Sequence, residues 1–217
     1  GLNHLYSGME TGSDRILKLI NKGFDADTVV RSGCMAKDAD MILSEFILLG
    51  IGGKELSEEN AAQTAKALNI IQPDFIRVHA TGIKLESKLG EFVRDGSFTL
   101  QSEEEIVIEQ KLFLQQLHEM DSYYVNEHIV NLLLEVRGNL RTEKQEMLST
   151  IDRFLTLPPD ERLLFTVGRR LNIFFRLDDL KKPKLHQKAG ESLQQILSKN
   201  PHVDFAALCN YVRQSQI

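Results

Sequence analysis

The chain has 217 residues, 42% hydrophobic and 26% charged, a globular composition with ample apolar material for a core. Its net charge of −5 excludes broad electrostatic attraction to nucleic acid. No apolar run approaches the roughly 20 residues that span a bilayer, and no charged-then-apolar segment stands near the start, so the cytoplasm is the expected compartment.

His4–Met9 reads as a short buried strand that begins almost at once, as if the chain were entered in mid-fold. Ser13-Asp14 supplies a helix cap, and Ile16, Leu17, Leu19 and Ile20 make a short helix stopped at Asn21-Lys22-Gly23. A second helix is expected from Ala26 to about Lys37. Met41–Leu49 is mostly apolar and ends in Gly50-Ile51-Gly52-Gly53, which reads as a strand buried on both faces. Ser57-Glu58-Glu59 opens a helix to about Ile71, with acids suited to the dipole in its first turn. Phe75–Ala80 alternates as a strand. Strands and helices in this alternation imply βαβ units and a parallel sheet, whose ligand site lies at the carboxyl ends of the strands.

Residues 82–100 read as a loop, and Ser102-x-x-Glu105 as the capping box of a helix to about Glu119. Tyr123–Asn126 is a further strand. From Asn126 the pattern turns helical: the apolar run Ile129–Leu134, a helix capped by Thr142-x-x-Gln145 and ending at Leu157, one from Pro158-Pro159 to near Phe175, and two short helices at about 187–199 and 203–214. The division expected is a sheet-containing region over 1–137 and a helical region over 138–217.

Three constellations stand at strand ends or inside the sheet. Glu10, followed by Thr11-Gly12-Ser13, offers a carboxylate that accepts from paired hydroxyls and a glycine that lets backbone approach a ligand; a helix entry with an incidental acid explains the same residues. Gly50 and Gly52 leave backbone N–H groups free to face a ligand, although they match neither phosphate-loop nor dinucleotide fingerprints and a plain tight turn also explains them. Arg77 and His79 share a face with Phe75, while Ile76, Val78 and Ala80 suit the helix-packed side. His118, Glu119, Glu127 and His128 match no metal-ligand spacing. Cys34 and Cys209 fit neither a disulfide framework nor a zinc site, and read as small buried apolar residues. Two thiols are also too few for an iron–sulfur cluster.

The segment Gly8-Met9-Glu10-Thr11-Gly12-Ser13-Asp14-Arg15, with the following Leu17–Gly23, resembles the fourth-strand segment of radical S-adenosylmethionine (radical SAM) proteins. Phe46–Gly53 is similar to the fifth strand of that family and Pro73–Val78 to the sixth. Asp121-Ser122-Tyr123, Asn126-Glu127-His128, Arg169-Arg170-Leu171 and Leu177-Asp178-Asp179-Leu180 look like one uncharacterised bacterial branch. The likeness covers about residues 4–180. It implies an α/β fold: a partial (half) parallel β/α barrel of the radical SAM type, followed by an all-helical carboxyl-terminal region. It also implies that Glu10 and Ser13 contact the ribose or amino-acid part of S-adenosylmethionine, that Gly50 and Gly52 lie along adenine, and that Arg77 sits in the barrel near cofactor or substrate.

The family's CxxxCxxC loop has no counterpart in these residues. The 4Fe–4S cluster is therefore expected of a complete parent only, and the chain alone is expected to be inactive, with weak or absent cofactor binding. No catalytic residue or metal ligand is assigned. The substrate stays open. A scaffold or interaction protein that kept the half-barrel is the alternative, and an ordinary nucleotide-binding enzyme on another α/β fold is a third. The expected partners are a small-molecule cofactor and further copies of the chain, joined through exposed sheet edges; neither nucleic acid nor membrane is expected.

Overall fold

A computed structural model describes residues 1–216. Its centre is a five-stranded, mostly parallel sheet in the order β1 (His4–Glu10), β2 (Ile42–Leu49), β3 (Phe75–Ala80), β4 (Tyr123–Val125) and β5 (Gly138–Asn139). The first four strands run parallel and only β5 is antiparallel. Helices α1 (Asp14–Leu19) and α2 (Ala26–Asp38) join β1 to β2, and α3 (Ser57–Ile71) joins β2 to β3. Helices α4 (Lys88–Asp95) and α5 (Glu103–Gln116) lead to β4; α6 (Lys144–Leu155), α7 (Pro159–Arg170), α8 (Pro183–Lys199) and α9 (Phe205–Gln214) follow β5. No helix among the described residues is long and apolar enough to cross a membrane.

The period-2 pattern of the strands divides the sheet into two unlike faces. Leu43, Ile47 and Leu49 of β2 and Ile76, Val78 and Ala80 of β3 are buried in a core completed by α2, α3 and α5. That core continues without a break through Met147, Ile151 and Phe154 of α6 and Leu164 and Phe165 of α7. The alternate residues point the other way. In register across the sheet, Tyr6, Ser44, Phe75 and Tyr123 form one row, and Gly8, Phe46, Arg77 and Val125 the next. Only Ser44 in these two rows is buried, so this face is open.

Local signals set most elements. Ser13 caps α1 by accepting from the Ile16 N–H (3.2 Å), and Asp25 caps α2 through Thr28 (2.8 Å). The Ser102–Glu105 capping box opens α5.

The structure corrects the sequence reading in seven places. Strand β2, expected to be buried on both faces, has Phe46 and Leu48 only half-buried on the open one, and β5 falls at Gly138–Asn139, where the region was expected to be all-helical. The supposed loop 82–100 holds α4, capped by Ser87 and ended by Gly96 in the left-handed region (φ 80°). The apolar run Ile129–Leu134 is a series of turns, because long-range side chains take the backbone bonds a helix would use. Asn126 donates to Leu133 O (2.6 Å), and Arg169 donates to the carbonyls of Ile129, Asn131 and Leu132. Helix α6 is capped at Glu143 rather than Thr142; the Glu143 carboxylate turns back to accept from the Asn139 N–H (2.7 Å). Helix α7 stops at Arg170, where Asn172 turns left-handed (φ 56°) and the N–H groups of Ile173 and Phe174 close on Gly168 O. The Phe174 ring passes so close to Gly168 that there is no room for a Cβ there. Finally, Cys34 is half-buried in α2, whereas Cys209 is buried in α9 as expected.

Candidate functional site at the strand ends and on the open sheet face

Glu10 ends β1 in a conformation that residues with a side chain rarely adopt (φ 64°), at a register shift between Gly8 and Glu10. The reversal folds its carboxylate back over Gly8. A Cβ on Gly8 would stand 2.7 Å from Glu10 Oε1, so the glycine makes room for the acid. Lys22 Nζ meets the same oxygen at 2.7 Å, tying the end of β1 to the turn after α1.

Beside this pair, the carboxyl ends of β1, β2 and β3 enclose a cleft of about 570 Å³, lined by Glu10, Lys22, Leu48, Ile51, Thr81 and Lys84 among others. The Thr81 hydroxyl is buried there without a hydrogen-bond partner. The wall of the cleft is held by α9. Asn210 accepts from the Ile83 N–H (2.8 Å) and donates to Ile83 O (2.9 Å), while Arg213 donates to Thr81 O (2.9 Å). Gly82 has no room for a Cβ, which would lie 2.7 Å from the Gln214 nitrogen.

The other sequence-identified residues are placed differently. Ser13 is buried, with its hydroxyl donated to Glu59 and its oxygen capping α1. Gly50 turns left-handed (φ 80°) and gives its N–H to Glu109 (3.0 Å). Gly52 packs against Leu56 and Ile16, whose atoms would stand within 3.0 Å of a Cβ. Between them Ile51, not a glycine, lines the cleft. Glu10 and Arg77 therefore face the open side, while Ser13, Gly50 and Gly52 are engaged within the fold.

On the open face Arg77 lies among three rings, its guanidinium carbon 5.3 Å from the centroid of Tyr6, 5.7 Å from Phe75 and 5.9 Å from Phe46. His4 stacks on Tyr6 (4.3 Å) and reaches Ser44 Oγ (3.1 Å), which Arg77 Nε approaches at 3.5 Å. The His79 ring lies against that of His128, tilted by 37° with centroids 4.3 Å apart. Burial, with the neighbouring His128 and Arg77, holds the His79 imidazole down to about 4, so it is neutral near pH 7. Among the described residues no group of three or more His, Cys, Asp or Glu is arranged to hold a metal ion.

Sequence reasoning missed two buried acids. Glu109 of α5 accepts from the Gly50 N–H, Ser57 Oγ (2.8 Å) and Asn60 Nδ2 (2.8 Å), and burial raises its pKa. Glu45 of β2 is buried on the helix-packed face, where desolvation pushes it up to about 7 and Oε2 has no partner. Neither sits at a motif, and both are defined by contacts between distant segments.

No family model matches the sequence, and no curated protein does. Among solved structures, the chain is similar to the archaeal Methanocaldococcus infernus Elp3 with N-terminus deletion (1-46). The TM-score is 0.47 and the identity 19%, over 54% of this chain and 28% of that one. So small an overlap assigns neither fold nor function.

Proposed function

We propose that this chain is the carboxyl-terminal half of a radical SAM barrel, keeping the ribose- and adenine-facing side of an S-adenosylmethionine site and inactive by itself. The observation that carries the reading is the placement of Glu10. The segment that resembles the family's fourth strand ends in a carboxylate folded over a glycine at the mouth of a cleft formed by three parallel strand ends. A site at that end of a parallel sheet is where such folds bind ligands. The cleft, at about 570 Å³, falls within the size range of small-molecule sites.

In this reading Glu10 accepts from ribose hydroxyls, with Lys22 holding its orientation. Leu48 and Ile51 give the adenine ring an apolar seat, and the Thr81 hydroxyl supplies a donor. The complete enzyme's cluster would supply the electron that cleaves the cofactor. The residues here do not fit that group: the 217 residues contain two thiols, one in α2 and one in α9, and a cluster takes three or four.

A non-catalytic scaffold is the second reading. It is favoured by Ser13, Gly50 and Gly52, whose polar groups and small size are consumed by packing. The unpaired β1 edge then joins copies of the chain.

Calorimetric titration with S-adenosylmethionine and with ATP tests the proposal. Weak, saturable S-adenosylmethionine binding that Glu10→Ala abolishes is expected, with ATP inert. ATP binding without S-adenosylmethionine binding, or an indifferent Glu10→Ala variant, overturns it.

A further inference from the structure

Five arginines in the described residues are buried or half-buried, and four of them are richly satisfied. Arg162 donates to Glu104 (3.0 Å) and to the carbonyls of Leu155 and Leu157 (2.8 and 2.7 Å). Arg169 serves four carbonyls. Arg170 and Arg213 share the buried carboxylate of Glu103. Arg77 is the exception: within the described residues its one acceptor is Ser44 Oγ at 3.5 Å, and no carboxylate approaches it. A guanidinium carries five donors, and Ser44 serves at most one of them.

We infer that the open sheet face binds a small ligand carrying one carboxylate on a planar, conjugated body. Arg77 takes the carboxylate, and the aromatic surface of Tyr6, Phe46 and Phe75 takes the body. The planar fork of a guanidinium matches a carboxylate in two parallel hydrogen bonds, a geometry an ammonium lacks. Charge matching selects a monoanion. Arg77 brings a single positive charge to this ring-lined stretch of the face, while the lysines of the cleft, Lys22, Lys84 and Lys88, line the strand ends instead. The neighbouring His79 adds no charge near neutral pH, since burial holds it unprotonated. The flat body follows from the surroundings: Tyr6 is 55% exposed beside the cation and offers ring surface for stacking. His4, hydrogen-bonded to the buried Ser44 and stacked on Tyr6, borders this surface.

The inference deepens the reading of this face as a barrel interior by naming the class of molecule it takes, and it rests on that reading for the ligand's role but not for its binding. The probes are benzoate, its uncharged isostere benzamide, and inorganic phosphate, titrated into the whole chain and followed by NMR of the Arg77 Nε–H and the Tyr6 ring. Benzoate should saturate with a Kd on the order of 1 mM, as befits a small probe. Benzamide and phosphate should each bind at least tenfold more weakly. Arg77→Gln should lose at least tenfold in benzoate affinity, Arg77→Lys several-fold, and Tyr6→Ala about threefold, with far-UV circular dichroism unchanged. Equal binding of benzamide would make the site merely apolar, and equal binding of phosphate would make it merely cationic. Either result, or an Arg77→Gln variant that binds like the parent, overturns the inference. The benzamide and phosphate comparisons use the unaltered chain, so they decide even where a variant misfolds. S-adenosylmethionine binding that depends on Glu10, together with no benzoate binding, sinks this inference alone; the reverse sinks only the proposed function.

Discussion

The two faces of the central sheet are built by the same strands, one residue apart, yet they have opposite physical tasks. Ile47 is 1% exposed beneath the helices, while its neighbour Phe46 lies half-buried beside Arg77 on the open side. The covered face takes aliphatic residues that interdigitate with α2, α3 and α5. The open face carries rings, histidines, an arginine and, at its margin, the Glu10 carboxylate. Stability is concentrated on one side, and groups able to recognise a ligand stand on the other. Parallel strands are ordinarily covered on both faces, so an uncovered face of this chemistry is the feature that separates the molecule from a simple α/β layer.

The contrast predicts where the molecule breaks. The largest effect belongs to the charges enclosed within the fold: Glu103→Ala leaves Arg170 and Arg213 buried without their carboxylate and should cost about 3–5 kcal/mol in urea unfolding. Adjacent truncations then compare the faces directly. Ile47→Ala should cost about 2–5 kcal/mol, Phe46→Ala roughly 1 kcal/mol, and equal costs would erase the distinction.

Glu45 sharpens it through pH. Its carboxyl is raised from an ordinary 4.5 to about 7 by burial, so the folded state keeps a proton that the unfolded state releases. That contribution is therefore lost as pH rises through this window and is constant above it. The loss is on the order of 3 kcal/mol at 1.36 kcal/mol per pH unit. Glu45→Gln should flatten the stability profile between pH 5 and 8 relative to the parent, and parallel profiles would refute the assignment.

The smallest effect falls on the open face. Arg77→Gln should change the unfolding free energy by only about 0.5 kcal/mol, read as a small shift in Tm, because the fold gives this arginine ring contacts to lose but no carboxylate or carbonyl.

The first four strands and a parallel sheet were legible in the sequence because buried apolar runs and helix caps are local signals. The spacing of Phe75, Arg77 and His79 even separated the two faces of β3 before any register was known. Within the candidate site, Glu10 and Arg77 stood out, one at a strand end and one on a strand face. The carboxylate's position over Gly8 did not, since a left-handed residue and a register shift leave no pattern of their own. Gly50 and Gly52 offered backbone to a ligand on sequence grounds, and the fold spends that freedom on Glu109 and on packing against Ile16.

What the sequence determined by itself is most of the strands and helices, several of their caps, and which alternate residues are apolar, since periods of 2 and 3.6 act over a few residues. Tertiary structure decided what depends on partners far along the chain. The run Ile129–Leu134 lost its helix to Arg169 and Asn126, and Asn131 instead bonds Val78 and Ala80 of β3. Tyr6 and Phe46 joined Arg77 only once the strands were in register. Helix α9 came to hold the wall of the cleft because Asn210 and Arg213 reach backbone more than a hundred residues earlier. Side-chain bonds to distant backbone carry no sequence period, so only the folded chain reveals them.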